Sequence, residues 1–319
     1  MIELLQAFLG AKWGVPVTVS GLRRFHGGAA RETYRFDANG QGLVLRRDPP
    51  SSLIETDRSI EYAAISGFYG SAVPVPEPLF IETGDALGSP GFIMREIPGV
   101  HAAGLFDVDP YGDARAEVGR DLFTILGRIH ARDTADLGFL PVQSAAARLD
   151  HWEATIEADA LGPEPIARAG LRWLRRNLPA DSALTVVHGD YRSGNFLVDD
   201  ANRIRAVVDW EMVHIGDPLE DLAWVCDPLW AHGSDNPAST IPIEDAIAIW
   251  EAASGLSCDR TAFRWWRVFA QVMGLAIWIS AGREVASGRN GDPVNIFAAF
   301  YPYRFHNRSL ARTLRDLAA

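Results

Sequence analysis

The chain has 319 residues, 48% of them hydrophobic and 22% charged, which is enough to bury one large core or two modest ones. Its formal net charge of −11 disfavours nucleic acid as a partner. We expect a reducing, cytoplasmic setting without membrane association, because the two cysteines are too few for a disulfide framework, the N-terminus lacks a signal-peptide pattern, and the longest apolar stretch (268–281) is shorter than a membrane span.

The first third of the chain has the pattern of strands separated by turns. Alternating apolar residues predict strands at 17–25, 33–37 and 42–46, and shorter apolar runs predict two more at 79–81 and 92–94. A helix is predicted between these groups, at 55–69, because its apolar residues recur at helical spacing. We therefore predict a sheet with one helix for this part.

After Pro98 and Gly99 the pattern changes to helices, of which 116–132 is the most amphipathic. Further helices are predicted at 145–158, 165–177, 243–253, 261–280 and 306–317, and short strands at 184–188, 195–198 and 204–209. The sequence thus predicts an α+β fold of two lobes, with a β-rich nucleotide-binding lobe at 1–97 and a larger, mainly helical lobe at 98–319. We expect the ligand site in the cleft between the two lobes.

Two segments carry the chemistry: His-Gly-Asp-Tyr-Arg-Ser-Gly-Asn at 188–195 and Val-Val-Asp-Trp-Glu at 207–211. Phosphoryl transfer needs a carboxylate that accepts the hydroxyl proton and oxygen ligands that hold magnesium against the phosphates. We assign Asp190 as the base, and Asn195 and Asp209 as magnesium ligands. The alternative for each is an ordinary turn or cap residue. The apolar strands on both sides of 188–195, together with the spacing of all three residues, favour the functional interpretation.

His-x-Asp-x-x-x-x-Asn matches the protein-kinase catalytic loop, with Gly189 in place of the usual Arg. With Asp-Trp-Glu in place of Asp-Phe-Gly, the chain resembles the aminoglycoside phosphotransferase (kinase-like) family, to which choline, homoserine and fructosamine kinases are related. The resemblance runs from about Leu22 to the C-terminal helices. It implies a protein-kinase-like fold that binds ATP and magnesium and moves the γ-phosphoryl group to a hydroxyl of a small molecule.

The resemblance also implies the residues that bind the nucleotide. Gly27 and Gly28 would cover the phosphates, although a plain hairpin turn has the same composition. Arg46 occupies the position of the kinase phosphate-binding Lys, and Glu61 on the following helix would be its partner. The alternative for Glu61 is an exposed helix residue. Because Arg is larger and forked, it cannot take the place of Lys without some rearrangement, and the only lysine, Lys12, precedes the first strand.

Residues 92–99 resemble the inter-lobe hinge of the family. Met94 would then lie at the back of the adenine pocket, and the backbone of Glu96 and Ile97 would contact the edge of the base. We expect structural roles for His188 and His130, and expect Asp221 to brace the catalytic loop.

The acceptor is constrained less well. A polycationic antibiotic needs an acidic pocket, whereas the C-terminal region contains several arginines: Arg260, Arg264, Arg267 and Arg283. Residues 45–50 resemble a branch related to the kinase-like domains of certain acyl-CoA dehydrogenases, which favours a hydroxyacyl acceptor over an aminoglycoside. Two alternatives remain: a nucleotide-binding pseudokinase that acts as a switch or scaffold, suggested by Arg46, and a metal-dependent phosphohydrolase.

Overall fold

The computed structural model describes residues 1–25, 32–48, 57–84, 86–180, 182–290 and 292–318, so Gly27 and Gly28 lie outside the described residues. The N-terminal part is built on an antiparallel sheet of five strands in the order β1-β2-β3-β5-β4. The strands are β1 (Val19–Phe25), β2 (Glu32–Ala38), β3 (Gln41–Arg47), β4 (Pro78–Glu82) and β5 (Gly91–Arg95). Alternation therefore located the first three strands of this sheet, and the short apolar runs located the other two.

Strand β3 divides its side chains between the two faces of the sheet, as period-two alternation requires. Leu43 and Leu45 are buried in a small core under helix α1 (Ile2–Trp13). Val44 joins the main core on the opposite face, from which Arg46 reaches the catalytic segments. Helix α1 corrects the expectation of a single helix in this part.

Helix α2 (Arg58–Phe68) connects the sheet to the helical part of the chain. Its N-cap is Asp57, whose carboxylate accepts the N–H of Ser59 at 2.8 Å. At its other end, the ring of Phe68 lies 4.7 Å from that of Trp210, which follows Asp209. This contact places α2 directly against the second chemical segment.

The remainder of the described chain is mainly helical. Its helices are α3 (Arg115–His130), α4 (Ala145–Asp159), α5 (Pro165–Arg176), α6 (Leu219–Val225), α7 (Ile243–Ser254), α8 (Arg260–Ala286) and α9 (Pro293–Ala318). Helix α9 begins well before the predicted start at His306. The helix continues through Pro302, which the sequence pattern did not suggest. No helix in the described ranges is both long and apolar enough to cross a membrane.

Short strands carry the site. They are β6 (Val100–His101), β7 (Thr185–Val187), β8 (Phe196–Asp199), β9 (Ile204–Val207) and β10 (His214–Gly216). Strand β6 pairs with β8, and β7 pairs with β10. The segment between β7 and β8 holds residues 188–195, and Asp209 follows β9. The architecture is the predicted two-lobed α+β fold; the exact boundary at 97/98 stays a prediction.

Candidate active site

A buried carboxylate fixes the backbone of the catalytic loop. Asp221 on α6 is fully buried and accepts the backbone N–H of His188 at 2.7 Å and that of Gly189 at 2.9 Å. His130 Nε2 lies 3.2 Å from the same carboxylate, while His130 Nδ1 accepts the indole N–H of Trp250 at 2.8 Å. His130 is therefore oriented from both sides, and the bracing role predicted for Asp221 is confirmed.

Gly189 occupies the position of the Arg in protein kinases, and the local backbone explains why this chain has glycine there. Its φ of +85° lies in the left-handed region, which side chains with a Cβ rarely adopt. A Cβ at this position would also lie 2.5 Å from the carbonyl oxygen of Met212. The close approach of these two segments therefore requires glycine.

Replacing Gly189 with Ala should displace the catalytic loop. The left-handed conformation alone costs a residue with a Cβ about 1–2 kcal/mol, and the contact with Met212 adds to that cost. We expect a lower melting temperature and a large loss of activity. The matched control is Gly255→Ala, at φ +73° with no atom within 4 Å of the added Cβ, which should show the backbone cost alone. Equal melting temperatures and activities for the two variants would contradict this explanation.

Three side chains hold the carboxylate of Asp190. The indole Nε1 of Trp224 donates to Oδ1 at 2.7 Å, and Asn195 Nδ2 donates to Oδ2 at 2.6 Å. Arg192 Nε lies 3.0 Å from Oδ1 and 3.2 Å from Oδ2. The sequence analysis assigned no role to Trp224 or to Arg192. The position of Arg192, two residues after the base in a turn, was the available signal.

The two proposed magnesium ligands, Asn195 and Asp209, are connected through the backbone of Val208. Val208 donates its N–H to the carbonyl of Asn195 at 2.8 Å, and its own carbonyl lies 3.1 Å from His188 Nε2. Burial lowers the pKa of His188, which favours the neutral ring, with Nε2 as the donor. Asp209 comes next, in a left-handed conformation with φ +71°. His188 thus has the structural role expected of it and fixes the position of Asp209.

Asp209 carries a negative charge at neutral pH. Burial raises the pKa of its carboxyl, but the positive charges of Arg46 and Arg192 outweigh this effect and lower the pKa to about 2. The side chain of Asn195 donates through Nδ2 to both the carbonyl and the carboxylate of Asp190, at 2.9 and 2.6 Å. This orientation leaves Asn195 Oδ1 as the atom able to ligate a cation.

Arg46 connects helix α2 to the segment that follows β9. Its Nη2 lies 2.6 Å from Asp209 Oδ1, and its Nε lies 3.3 Å from Glu61 Oε1. Glu61 is 1% exposed and also pairs with Arg58, whose Nε lies 2.9 Å from Asp48. The pairing of Arg46 with Glu61 is as predicted, and the alternative of an exposed Glu61 is wrong. The contact with Asp209 was not predicted; the guanidinium is long enough to span both carboxylates.

The donor set fits magnesium bound together with phosphates. Magnesium prefers oxygen ligands and commonly uses one or two carboxylates with substrate phosphates and water. Asp209 and Asn195 supply a carboxylate and an amide oxygen. Among the described residues, no group of three or more His, Cys, Asp or Glu side chains could hold a metal ion. Asp209 and Asn195 would thus supply two of the ligands of a cation, and phosphates and water the others.

The hinge residues agree with the expectation only in part. Met94 is buried in the main core and is paired with Val44 of β3. The N–H of Glu96 donates to the carbonyl of Gly42 at 3.0 Å, and its carboxylate accepts from Arg35 Nε at 3.0 Å. The N–H of Glu96 is therefore not available to the adenine of a nucleotide. Contacts of adenine with the carbonyl of Glu96 and with the backbone of Ile97 stay predictions.

Three of the four C-terminal arginines considered in the sequence lie on the surface. Arg260, Arg264 and Arg283 are exposed on α8, and Arg260 pairs with Glu244. The guanidinium that contacts the catalytic base Asp190 is that of Arg192, which lies over the ring of Trp230 at 4.6 Å. The positive charge beside Asp190 therefore comes from Arg192 and not from the C-terminal arginines that the sequence analysis considered.

The fold and the site define a kinase-like phosphotransferase, and comparison with known proteins agrees. The model of the "Phosphotransferase enzyme family" matches residues 21–256, so the chain belongs to this family. "Acyl-CoA dehydrogenase family member 11" of Gallus gallus is 26% identical over 220 residues, which cover 66% of this chain and 28% of that protein. Viomycin phosphotransferase of Streptomyces vinaceus is 33% identical over 161 residues, covering 46% of this chain and 54% of that protein.

Solved structures confirm the fold class. Choline kinase LicA of Streptococcus pneumoniae aligns with a TM-score of 0.68 at 13% identity, over 97% of this chain and 98% of LicA. Aminoglycoside phosphotransferase APH(4)-Ia, in a complex with ADP and hygromycin B, aligns with a TM-score of 0.62 at 19% identity, over 99% of each chain. Because the chain spans well under half of the acyl-CoA dehydrogenase relatives, the activities of those longer proteins do not transfer to it directly.

Proposed function

We propose that this protein is a small-molecule kinase that uses ATP and magnesium to phosphorylate a hydroxyl group. The observation that carries the proposal is the connection of three residues by hydrogen bonds. The side chain of Asn195 donates to the base Asp190, and the backbone carbonyl of Asn195 accepts the N–H of Val208, the neighbour of Asp209. Asp209 is anionic, as a carboxylate must be to ligate magnesium. The nucleotide complexes of APH(4)-Ia support ATP as the phosphoryl donor, since the fold is shared.

In the proposed reaction the acceptor oxygen bonds to the γ-phosphorus as the bond to the β,γ-bridging oxygen breaks and ADP leaves. Asp190 accepts the hydroxyl proton. Trp224 and Asn195 hold its carboxylate in place, so the base is positioned before the acceptor arrives. Asn195 and Asp209 would hold magnesium, which neutralises charge on the phosphates when bound. Arg46, held by Glu61, would contact the phosphates from the sheet side.

For the acceptor we favour a hydroxyacyl compound over an aminoglycoside. The kinase-like regions of acyl-CoA dehydrogenase relatives support this choice, because they align over about two thirds of the chain. Viomycin phosphotransferase aligns over less than half of it. The guanidinium of Arg192 at the base is also unfavourable for a polycation.

The test is ADP release by the purified chain with ATP and magnesium. We expect a hydroxyacyl-CoA thioester to stimulate release and to become phosphorylated, whereas kanamycin-type compounds should have little effect. Efficient phosphorylation of kanamycin with no response to thioesters would refute the acceptor assignment. Phosphate release from simple monoesters without ATP would instead indicate a phosphohydrolase.

A second candidate is a nucleotide-binding pseudokinase, and one contact favours it. Arg46 lies 2.6 Å from Asp209 and so neutralises a carboxylate that magnesium would need. If this pair persists with nucleotide bound, the protein would bind ATP without transfer. Tight binding of ATP combined with no ADP release, with water or any acceptor, would favour this candidate.

A further inference from the structure

We propose that Arg192 covers the catalytic base and selects acceptors that carry a negative charge, an inference that rests on the proposed kinase function. The guanidinium lies along the carboxylate of Asp190, with Nε at 3.0 Å from one oxygen and 3.2 Å from the other. An acceptor hydroxyl must approach this same carboxylate to lose its proton. Arg192 therefore competes with the acceptor hydroxyl for hydrogen bonds to the base.

The other two donors to Asp190 cannot easily move. Trp224 is 1% exposed, and its ring packs 5.2 Å from that of Trp230. Asn195 is held at both its backbone and its side chain. By contrast, the Arg192 side chain is 25% exposed, and that of Asp190 is 18% exposed. The open edge of the base is thus occupied by Arg192, the most exposed of the three side chains that contact it.

The backbone is shaped to keep the guanidinium in this position. Arg192 Nη1 donates to the carbonyl of Ser193 at 3.1 Å, and the guanidinium lies over the ring of Trp230 at 4.6 Å. A Cβ at Gly194, where φ is +97°, would lie 2.9 Å from that same Nη1. Glycine at 194 therefore leaves room for Arg192 to fold back onto the base.

The selection follows from charge. A carboxylate or phosphate on the acceptor can pair with the guanidinium and draw it away from Asp190, because Arg binds such groups through paired hydrogen bonds. An ammonium group would be repelled by Arg192 and would leave the base covered. Anionic acceptors thus uncover the base as they bind, and cationic acceptors do not.

The first test uses water as the acceptor, since water carries no charge that could displace Arg192. We expect Arg192→Ala to release ADP several-fold faster than the wild type at unchanged ATP affinity, because the base is open. The matched control is Arg203→Ala, whose guanidinium is exposed and pairs with Asp121 away from the base. A rate for Arg192→Ala equal to or below that of the wild type would overturn the proposal.

The second test does not depend on turnover. In NMR spectra of the ATP-free protein with ADP and magnesium, the Arg192 Nε–H and Trp224 Nε1–H signals are assigned with Arg192→Lys and Trp224→Phe. We expect 4-hydroxybutyrate to shift both signals and 4-amino-1-butanol, of matched length, to shift neither. Equal shifts with the cation, or no shift with the anion, would overturn the proposal. If neither the wild type nor the variants released ADP, the proposed kinase function would be wrong. The NMR result would still decide the role of Arg192.

Discussion

Asp190→Asn should abolish phosphoryl transfer while ATP binds as tightly as before. The amide has the shape of the carboxylate, and its oxygen can still accept the indole N–H of Trp224, but its NH2 group then faces the Nδ2 donor of Asn195. An unchanged melting temperature is therefore needed to show that the loop keeps its structure. The amide cannot accept the hydroxyl proton, and a positioned base typically contributes about 10²–10⁴-fold to the rate. Single-turnover ADP formation and calorimetric ATP titration, each on wild type and variant, measure the two effects separately.

The control for this experiment is Asp121→Asn, which changes a carboxylate paired with Arg203 on the surface. It should leave both rate and affinity unchanged. If Asp190→Asn weakened ATP binding as much as it slowed transfer, Asp190 would be acting in binding, since a base contributes in the chemical step alone. That result would contradict the assignment.

Asp209→Asn should remove the magnesium dependence of ATP binding. In the wild type we expect ATP to bind more tightly with magnesium than without it. The variant loses the anionic ligand, and even groups that only support a metal ligand contribute about 10–100-fold to metal affinity. We therefore expect about 100-fold weaker ATP binding in the presence of magnesium, measured by calorimetry.

The ion pair with Arg46 makes the magnesium-free titration informative as well. Loss of the Asp209 carboxylate would release Arg46 from its 2.6 Å contact, so that the guanidinium becomes available to the phosphates. ATP affinity without magnesium should then be unchanged or higher in Asp209→Asn. A melting temperature close to that of the wild type would show that the variant is folded. Magnesium-dependent binding that survives in the variant would disprove the role of Asp209.

The N-terminal sheet was predictable because its strands obey a local rule. In β3, Leu43 and Leu45 alternate with Val44 and Arg46, and the two faces contact different cores. Helix α1 was missed because its apolar residues lie on more than one face: Leu5 is buried while its neighbour Leu4 is 39% exposed. A helix without a clear apolar stripe gives no periodic signal.

The residues of the site were predictable where their spacing in the chain is fixed by chemistry. Asp190 and Asn195 are five residues apart in one loop. Trp224, by contrast, reaches Asp190 across 34 positions, and Arg46 reaches Asp209 across 163. Contacts at such separations depend on how α6 and β3 pack, which no local pattern encodes. The start of α9 was misplaced for a different reason, because Pro302 suggests a boundary inside a continuous helix.

Loops that carry catalytic residues commonly open more readily than the core around them. In this protein the amides of His188 and Gly189 donate to a fully buried carboxylate on α6, so solvent reaches them only when α6 separates from the core. Their hydrogen exchange should therefore be as slow as that of the innermost helices. We therefore expect the segment that holds the base to be among the last parts of the molecule to unfold, and its geometry to persist through smaller fluctuations of the surface.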